Sequence, residues 1–198
     1  MKKQKIINLF VGSNNQGKIK EIRALLPKKL KILTPRDYNL RSPKEYGKTF
    51  DENSLLKAKY FSKKTRMICL ADDSGLEIDI LNKLPGIYSA RWGGEEKNFD
   101  LAIKRVFEEL EKVKKDWHFN NKASFVCCLT IFWPSGKSFS SEGIVNGKIT
   151  KKSGTNGFGY DPIFIPDGYK NTFGEMSPKL KMSIDHRYKA FLKLKKFF

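Results

Sequence analysis

The chain has 198 residues, enough to bury a core without disulfide or metal staples, and its 39% hydrophobic and 30% charged content excludes a disordered or membrane-embedded composition. Lys and Arg total 39 against 21 Asp and Glu, and the formal net charge of +18 points either to an anionic partner (a nucleotide, a nucleic acid or a lipid surface) or to solvated lysines on helix faces. No apolar run reaches the roughly 18 residues of a spanning helix, and residues 6–11 are too short and interrupted for a secretory segment, so a cytoplasmic protein with one domain over residues 1–198 is expected.

Residues 6–11 read as a buried strand, followed by the polar turn GSNNQGK and a helix, KIKEIRALL, that stops at Pro27. Formally the turn is G-x-x-x-x-G-K between a strand and a helix. Backbone N–H groups and a helix N-terminus there can cradle phosphate oxygens, with Lys18 adding a point charge. An ordinary polar turn fits the same residues. A phosphate loop would continue with Ser or Thr to hold Mg²⁺; Ile19 cannot coordinate an ion, so any metal must be held elsewhere.

Thr49, with Glu52 three residues on, makes a capping-box pattern ahead of Leu55, Leu56, Ala58, Tyr60 and Phe61, which predicts a second helix starting near Thr49. The apolar run MICLA, residues 67–71, has strand length and delivers the chain to Asp72 and Asp73. A turn is expected at Ser74 and Gly75, then a strand in LEIDIL with Leu76, Ile78 and Ile80 inward and Glu77 and Asp79 on a solvated face. Mg²⁺ binds through one or two carboxylates plus phosphate oxygens and waters, so Asp72 and Asp73 could supply its anchor, although Asp-Ser-Gly also makes good turns.

Phe99, Ala102, Ile103, Val106, Phe107, Leu110 and Val113 recur at helical spacing, as a core-facing helix requires. ASFVCCLTIFW and KSFSSEGIVNGKI look like paired strands around a Pro134-Ser135-Gly136 turn. Cys127 and Cys128 would then point to opposite faces, and with Cys69 alone they make neither a zinc site nor a disulfide framework. In SGTNGFGYDPIF the glycines let backbone and rings approach a flat ligand, or else form a tight turn with core aromatics. Lys181, His186 and Arg187 lead into or lie on an amphipathic helix bearing Ala190, Leu192 and Leu194; cations near a helix start oppose its dipole, which favours a recruited role. The interleaving of strands and helices implies a mixed sheet flanked by helices, an α/β fold.

Six stretches in this order, SNNQGK (13–18), TFDENSLLKA (49–58), ADDSGL (71–76), PGIYSARW (85–92), GFGYDPIF (157–164) and K-x-x-x-x-H-R (181–187), resemble the inosine triphosphate pyrophosphatase family over nearly the whole chain. That resemblance implies a long mixed sheet flanked by helices in two lobes with a central cleft, usually in a homodimer. It implies hydrolysis of non-standard purine nucleoside triphosphates (ITP, dITP, XTP) to a monophosphate and pyrophosphate, with neither a membrane nor a specific nucleic acid as partner. By resemblance, the loop Ser13, Asn14, Asn15, Gln16, Gly17 and Lys18 binds the substrate, with Ser13, Asn15 and Lys18 on the triphosphate. Glu45 and Asp73 hold Mg²⁺, Asp73 also helps to activate water, and Ser74 touches substrate. Phe158 stacks on the purine beside Gly159 and Tyr160, Asp161, His186 and Arg187 read the base edge, and Lys181 assists near the base or sugar.

Three positions depart from the family pattern: Asn14 replaces Gly, Met182 replaces Asn or another small polar residue, and Asp185 replaces the Ser before the His-Arg pair. A carboxylate beside His186 favours imidazolium or competes for Arg187, which bears on base selectivity more than on hydrolysis. Two rival readings are a P-loop nucleotide kinase, which Ile19 opposes, and a nucleic-acid-binding module, which the dispersed basic residues weaken.

Overall fold

Strand β1 (Asn8–Val11) forms because Leu9, Phe10 and Val11 are all apolar and fully buried; it is two residues shorter than the predicted segment. The computed structural model describes residues 6–113, 117 and 121–198. β1 pairs in parallel with β2 (Lys31–Leu33) and β3 (Cys69–Ile78). The sheet runs in the order β2-β1-β3-β4-β5-β6, where β4 is Lys122–Phe132, β5 is Ser138–Ile149 and β6, antiparallel to β5, is Phe164–Pro166. It is therefore the mixed sheet that the sequence implies. The turn between β4 and β5 is closed by Gly136 N–H to Trp133 O at 2.9 Å and by Trp133 N–H to Lys137 O at 2.9 Å.

The described residues group into two compact units. The first holds the chain up to Asp73 with Cys127–Gly143 and Arg187–Phe198, and the second holds Ser74–Val126 and Ile144–His186. In the first unit the pleat of β3 sorts its side chains. Leu70 shares one apolar cluster with Leu9, Val11, Cys127 and Leu129, covered by Ile19 and Ile22 of helix α1 (Gln16–Leu25) and by Ala190, Phe191 and Leu194 of helix α5 (His186–Leu194). Cys69 and Ala71 share the other with Phe10 and with Ala58 and Phe61 of helix α2 (Phe50–Thr65). This is the period-two alternation of a strand buried on both faces. At the end of β1, a Cβ on Gly12 would lie 2.8 Å from the Phe61 ring and 3.0 Å from Cys69 Sγ, so a glycine lets α2 close onto the strand.

α2 begins where the capping pattern predicts: the Thr49 side chain accepts the Glu52 N–H at 3.1 Å, and Glu52 Oε2 accepts the Lys48 N–H at 2.6 Å. α1 starts at Gln16, two residues ahead of the predicted segment, because Asn15 caps it and accepts the Lys18 N–H at 3.0 Å. The expected turn at Ser74 and Gly75 is absent. β3 continues unbroken to Ile78, since Leu76 and Ile78 are fully buried and extend the apolar alternation through the pair.

In the second unit, helix α3 (Phe99–Val113) buries Ala102, Ile103, Val106 and Leu110 against Leu76, Ile78, Phe125, Ile149 and Phe164. Asn98 Oδ1 accepts the Asp100 N–H at 2.9 Å at its start, and Val113, in the last position, is 54% exposed. Helix α4 (Pro178–Ile184) is separate from α5, because Asp185 is extended between them and its N–H closes on Lys181 O. Leu192, expected on the apolar face of the C-terminal helix, is 48% exposed; Ala190, Phe191 and Leu194 form the buried stripe instead. Among the described residues no helix is long and apolar enough to cross a membrane.

Candidate active site

Asp72 and Asp73 are consecutive on β3, so the pleat sends them to opposite sides of the strand. Asp72 follows the parity of Leu70 and is fully buried, with Oδ1 2.5 Å from Lys18 Nζ. Its Oδ2 accepts from Arg187 Nη2 at 2.9 Å and Nε at 3.1 Å, and from Cys127 Sγ at 3.2 Å. The Arg187 guanidinium, 1% exposed, also pairs with Glu21 of α1. Burial alone would raise the Asp72 carboxyl, but the charges of Arg187, Lys18 and Lys57 hold it well below the usual carboxylate range. Asp72 is therefore a permanently ionised anchor for two cations.

Asp73 lies on the α2 side. Lys57, projecting from α2, places Nζ 2.7 Å from Asp73 Oδ1 and 2.7 Å from Glu45 Oε1. The other oxygen, Asp73 Oδ2, is buried with no hydrogen-bond partner among the described residues. Burial raises the Asp73 carboxyl above its ordinary value against the opposing charges of Lys57 and Lys18, and Glu45 raises it further. Lys57 is raised in turn: the charges of Asp73, Glu45 and Asp72 outweigh its burial. Two hard carboxylates converging on one cation, one of them with an unused buried oxygen, form a donor set that suits Mg²⁺. Among the described residues no group of three or more His, Cys, Asp or Glu could hold a metal, so an ion here would complete its shell from phosphate and water.

Around α1 the loop side chains are organised locally. Ser13 Oγ accepts the Asn15 N–H at 3.2 Å, Asn15 serves as the cap, and Asn14 Nδ2 donates to Ser42 Oγ at 3.0 Å. Gln16 and Gly17 open the helix and bring its N-terminal N–H groups beside Lys18. Ser74 follows Asp73 on β3 and belongs to the second unit.

The second unit gathers the other group of residues. Asp161 Oδ2 accepts the Phe158 N–H at 2.8 Å and the Lys181 ammonium at 2.6 Å, all within a buried pair. Lys181 Nζ also lies 4.9 Å from the centre of the Phe158 ring and 5.6 Å from that of Phe173. Gly157, at φ +76°, is required: a Cβ there would sit 2.0 Å from Asp161 Oδ2. Gly159 is also left-handed, at φ +69°, and turns the chain between Phe158 and Tyr160. Tyr160 lies in the core, its hydroxyl donating to Ser89 O at 2.8 Å and its ring meeting Phe99 edge-on, with burial raising the phenol. His186 stacks flat on Phe125, with centroids 4.8 Å apart and planes 11° from parallel.

The structure thus brings Lys18, Glu45, Asp73 and Arg187 together in the first unit, and Phe158, Asp161, Lys181 and His186 in the second. Arg187, expected at the base edge, has its guanidinium on Asp72 and Glu21. Sequence reasoning missed Lys57, Glu21 and Cys127. The signal for Lys57 was available: Asn53, Ser54 and Lys57 lie on the same buried side of α2 as Phe50, Ala58 and Phe61, where a purely structural helix would be apolar. Nothing local distinguishes Glu21 from a solvated helix residue.

A profile of the Ham1 family matches residues 9–197. The dITP/XTP pyrophosphatase of Caulobacter vibrioides is 44% identical over 188 residues, covering 94% of this chain and 95% of its own. That of Bacillus licheniformis is 42% identical, covering 94% and 95%. Among solved structures, the Staphylococcus aureus Ham1 protein superposes with a TM-score of 0.83 at 35% identity over 96% of this chain and 97% of its own. A HAM1 protein from Coxiella burnetii gives 0.86 at 32% identity over 96% and 98%.

Proposed function

This chain belongs to the Ham1 family, and from that premise and the geometry above we propose that it hydrolyses non-standard purine nucleoside triphosphates (ITP, dITP and XTP) to the nucleoside monophosphate and pyrophosphate. The single observation that carries the mechanism is the split between Asp72 and Asp73: one carboxylate neutralised by cations, its neighbour left with an unpaired buried oxygen. Lys18 and the α1 N-terminus bind the triphosphate, with Ser13, Asn14, Asn15, Gln16 and Gly17 shaping the loop. Glu45 and Asp73 would hold Mg²⁺, which when bound offsets phosphate charge and polarises the phosphoryl oxygens. Asp73 orients a water and takes its proton as the water oxygen bonds to the α-phosphorus and the bond to the departing pyrophosphate breaks. Lys57 holds Asp73 and Glu45 in mutual register, and Ser74 contacts substrate.

Phe158 stacks on the purine and Lys181 fixes Asp161 beside it. Asp161 and His186 read the base edge, while the Arg187 guanidinium is committed to Asp72 and Glu21. Donors facing a 6-oxo group leave an adenine amino group opposed by another donor, the kind of mismatch that discriminates strongly. Residues 1–198 act as one pyrophosphatase domain, because the chain crosses repeatedly between the two units and neither is a continuous stretch. Three free buried cysteines suit the reducing cytoplasm, and family resemblance supports a homodimer. Incubation with ITP and Mg²⁺ should release pyrophosphate; orthophosphate, or phosphorylation of a cosubstrate, would replace this reading with a kinase or phosphatase.

A further inference from the structure

We propose that Cys127 is a positioning residue for the triphosphate end of the site: its thiol, donating to Asp72 Oδ2, fixes that carboxylate in the orientation that presents Oδ1 to Lys18. The inference rests on the reading of Lys18 as a phosphate ligand. β4 places Cys127 on the Leu70 and Asp72 side of β3, within the apolar cluster that also holds Leu9, Val11, Leu70 and Leu129. There the thiol lies 3.2 Å from Asp72 Oδ2, while Lys18 Nζ lies 2.5 Å from Oδ1 of the same carboxylate. Both Cys127 and Asp72 are buried, so no bulk water stands in for the thiol, which shares Oδ2 with Arg187 Nη2 and Nε and approaches it from β4.

A cysteine is suited to this place because it packs as a small apolar side chain and still offers one S–H. Burial and the neighbouring Asp72 charge push the Cys127 thiol well above its ordinary range, so it keeps its proton and remains a donor. The adjacent residue is a control within the same strand. Cys128 points to the other face and donates to Asp51 Oδ1 at 3.4 Å, away from Asp72 and Lys18. Its thiol is pushed up to about 12 by burial. The two cysteines thus make the same type of bond, but only one touches the group that holds Lys18.

The test is steady-state pyrophosphate release from ITP with Mg²⁺ by the full chain and its variants. Cys127→Ala should raise KM about three- to tenfold with kcat within about twofold, and Cys127→Ser, which restores a donor, should bring KM back to within about twofold of the parent. Cys128→Ala should leave both parameters unchanged. In the Lys18→Ala background, Cys127→Ala should add nothing, because the residue it acts through is gone. Cys127→Val, which keeps the bulk and removes the donor, takes the place of Cys127→Ala if the cavity variant fails to fold. An unchanged KM in the donor-less variants, failure of serine to rescue, or full additivity with Lys18→Ala would overturn the inference while leaving the triphosphate reading intact. An unchanged KM in Lys18→Ala itself would overturn both.

Discussion

The cluster around Asp72 and Asp73 is built from charges, whereas that around Asp161 sets the buried Asp161–Lys181 ion pair among rings. The difference fits the proposed division, in which the first takes the triphosphate and the second the purine. A triphosphate is held by net positive charge and by carboxylates that can share a cation, and a purine is held by stacking and by a few fixed donors and acceptors. Even the two carboxyl groups of β3 differ this way: Asp72 is held low by cations, and Asp73 is raised by burial.

The sharpest way to break this contrast is Asp73→Asn, which should reduce kcat on every nucleotide by about a thousandfold while circular dichroism and Tm stay near the parent, because it removes charge and little volume. Pyrophosphate release within about threefold of the parent would remove Asp73 from its role. Next in size, Lys181→Met leaves the buried Asp161 carboxylate without its cation, and should raise KM for ITP about tenfold with kcat reduced less. His186→Ala should lower the ratio of ITP to ATP turnover by about tenfold and leave metal dependence alone; an unchanged ratio would dismiss it as a base reader.

The smallest effect is in pH. Asp72, depressed in the folded state, contributes stability that is present above its unfolded value near 3.9 and lost as pH falls through its lower folded value. Asp73 has the opposite sign: its folded value is raised, so the fold favours its protonated form and loses stability as pH rises through that value. A metal ion requires the ionised form. The increase in Tm produced by Mg²⁺ should therefore shrink as pH is lowered into the range where Asp73 takes up its proton, and thermal scans across pH 4 to about 8 would measure it. A Mg²⁺ shift independent of pH would place the ion elsewhere.

Much of the fold was legible because its signals are local. The Thr49 cap, the strand leading into Asp72 and the helical spacing in α3 each depend on residues within a few positions of one another. Ser74 and Gly75 misled because turn propensity is also local, while the burial of Leu76 and Ile78 that keeps β3 extended is tertiary. Asp73, Lys18 and Glu45 could be named from motif resemblance. Lys57 was legible only as a polar residue at the helical spacing of Phe50, Ala58 and Phe61, and Glu21 not at all, since an ionised helix residue resembles a solvated one until its partner is known, and that partner lies on α5. The thiol of Cys127 carried no sequence signal beyond its parity, which places it on the side opposite Cys128.

β3 has a consequence for how this protein tolerates change. Because alternate positions of the strand belong to different side-chain clusters, the number of residues in it matters as much as their identity. Deleting Ala71 would move Asp73 into the place that faces the arginine and put Ser74 where the metal-side carboxylate stood. The same deletion carries every apolar residue beyond it to the opposite face of the sheet, so it should cost fold stability as well as activity.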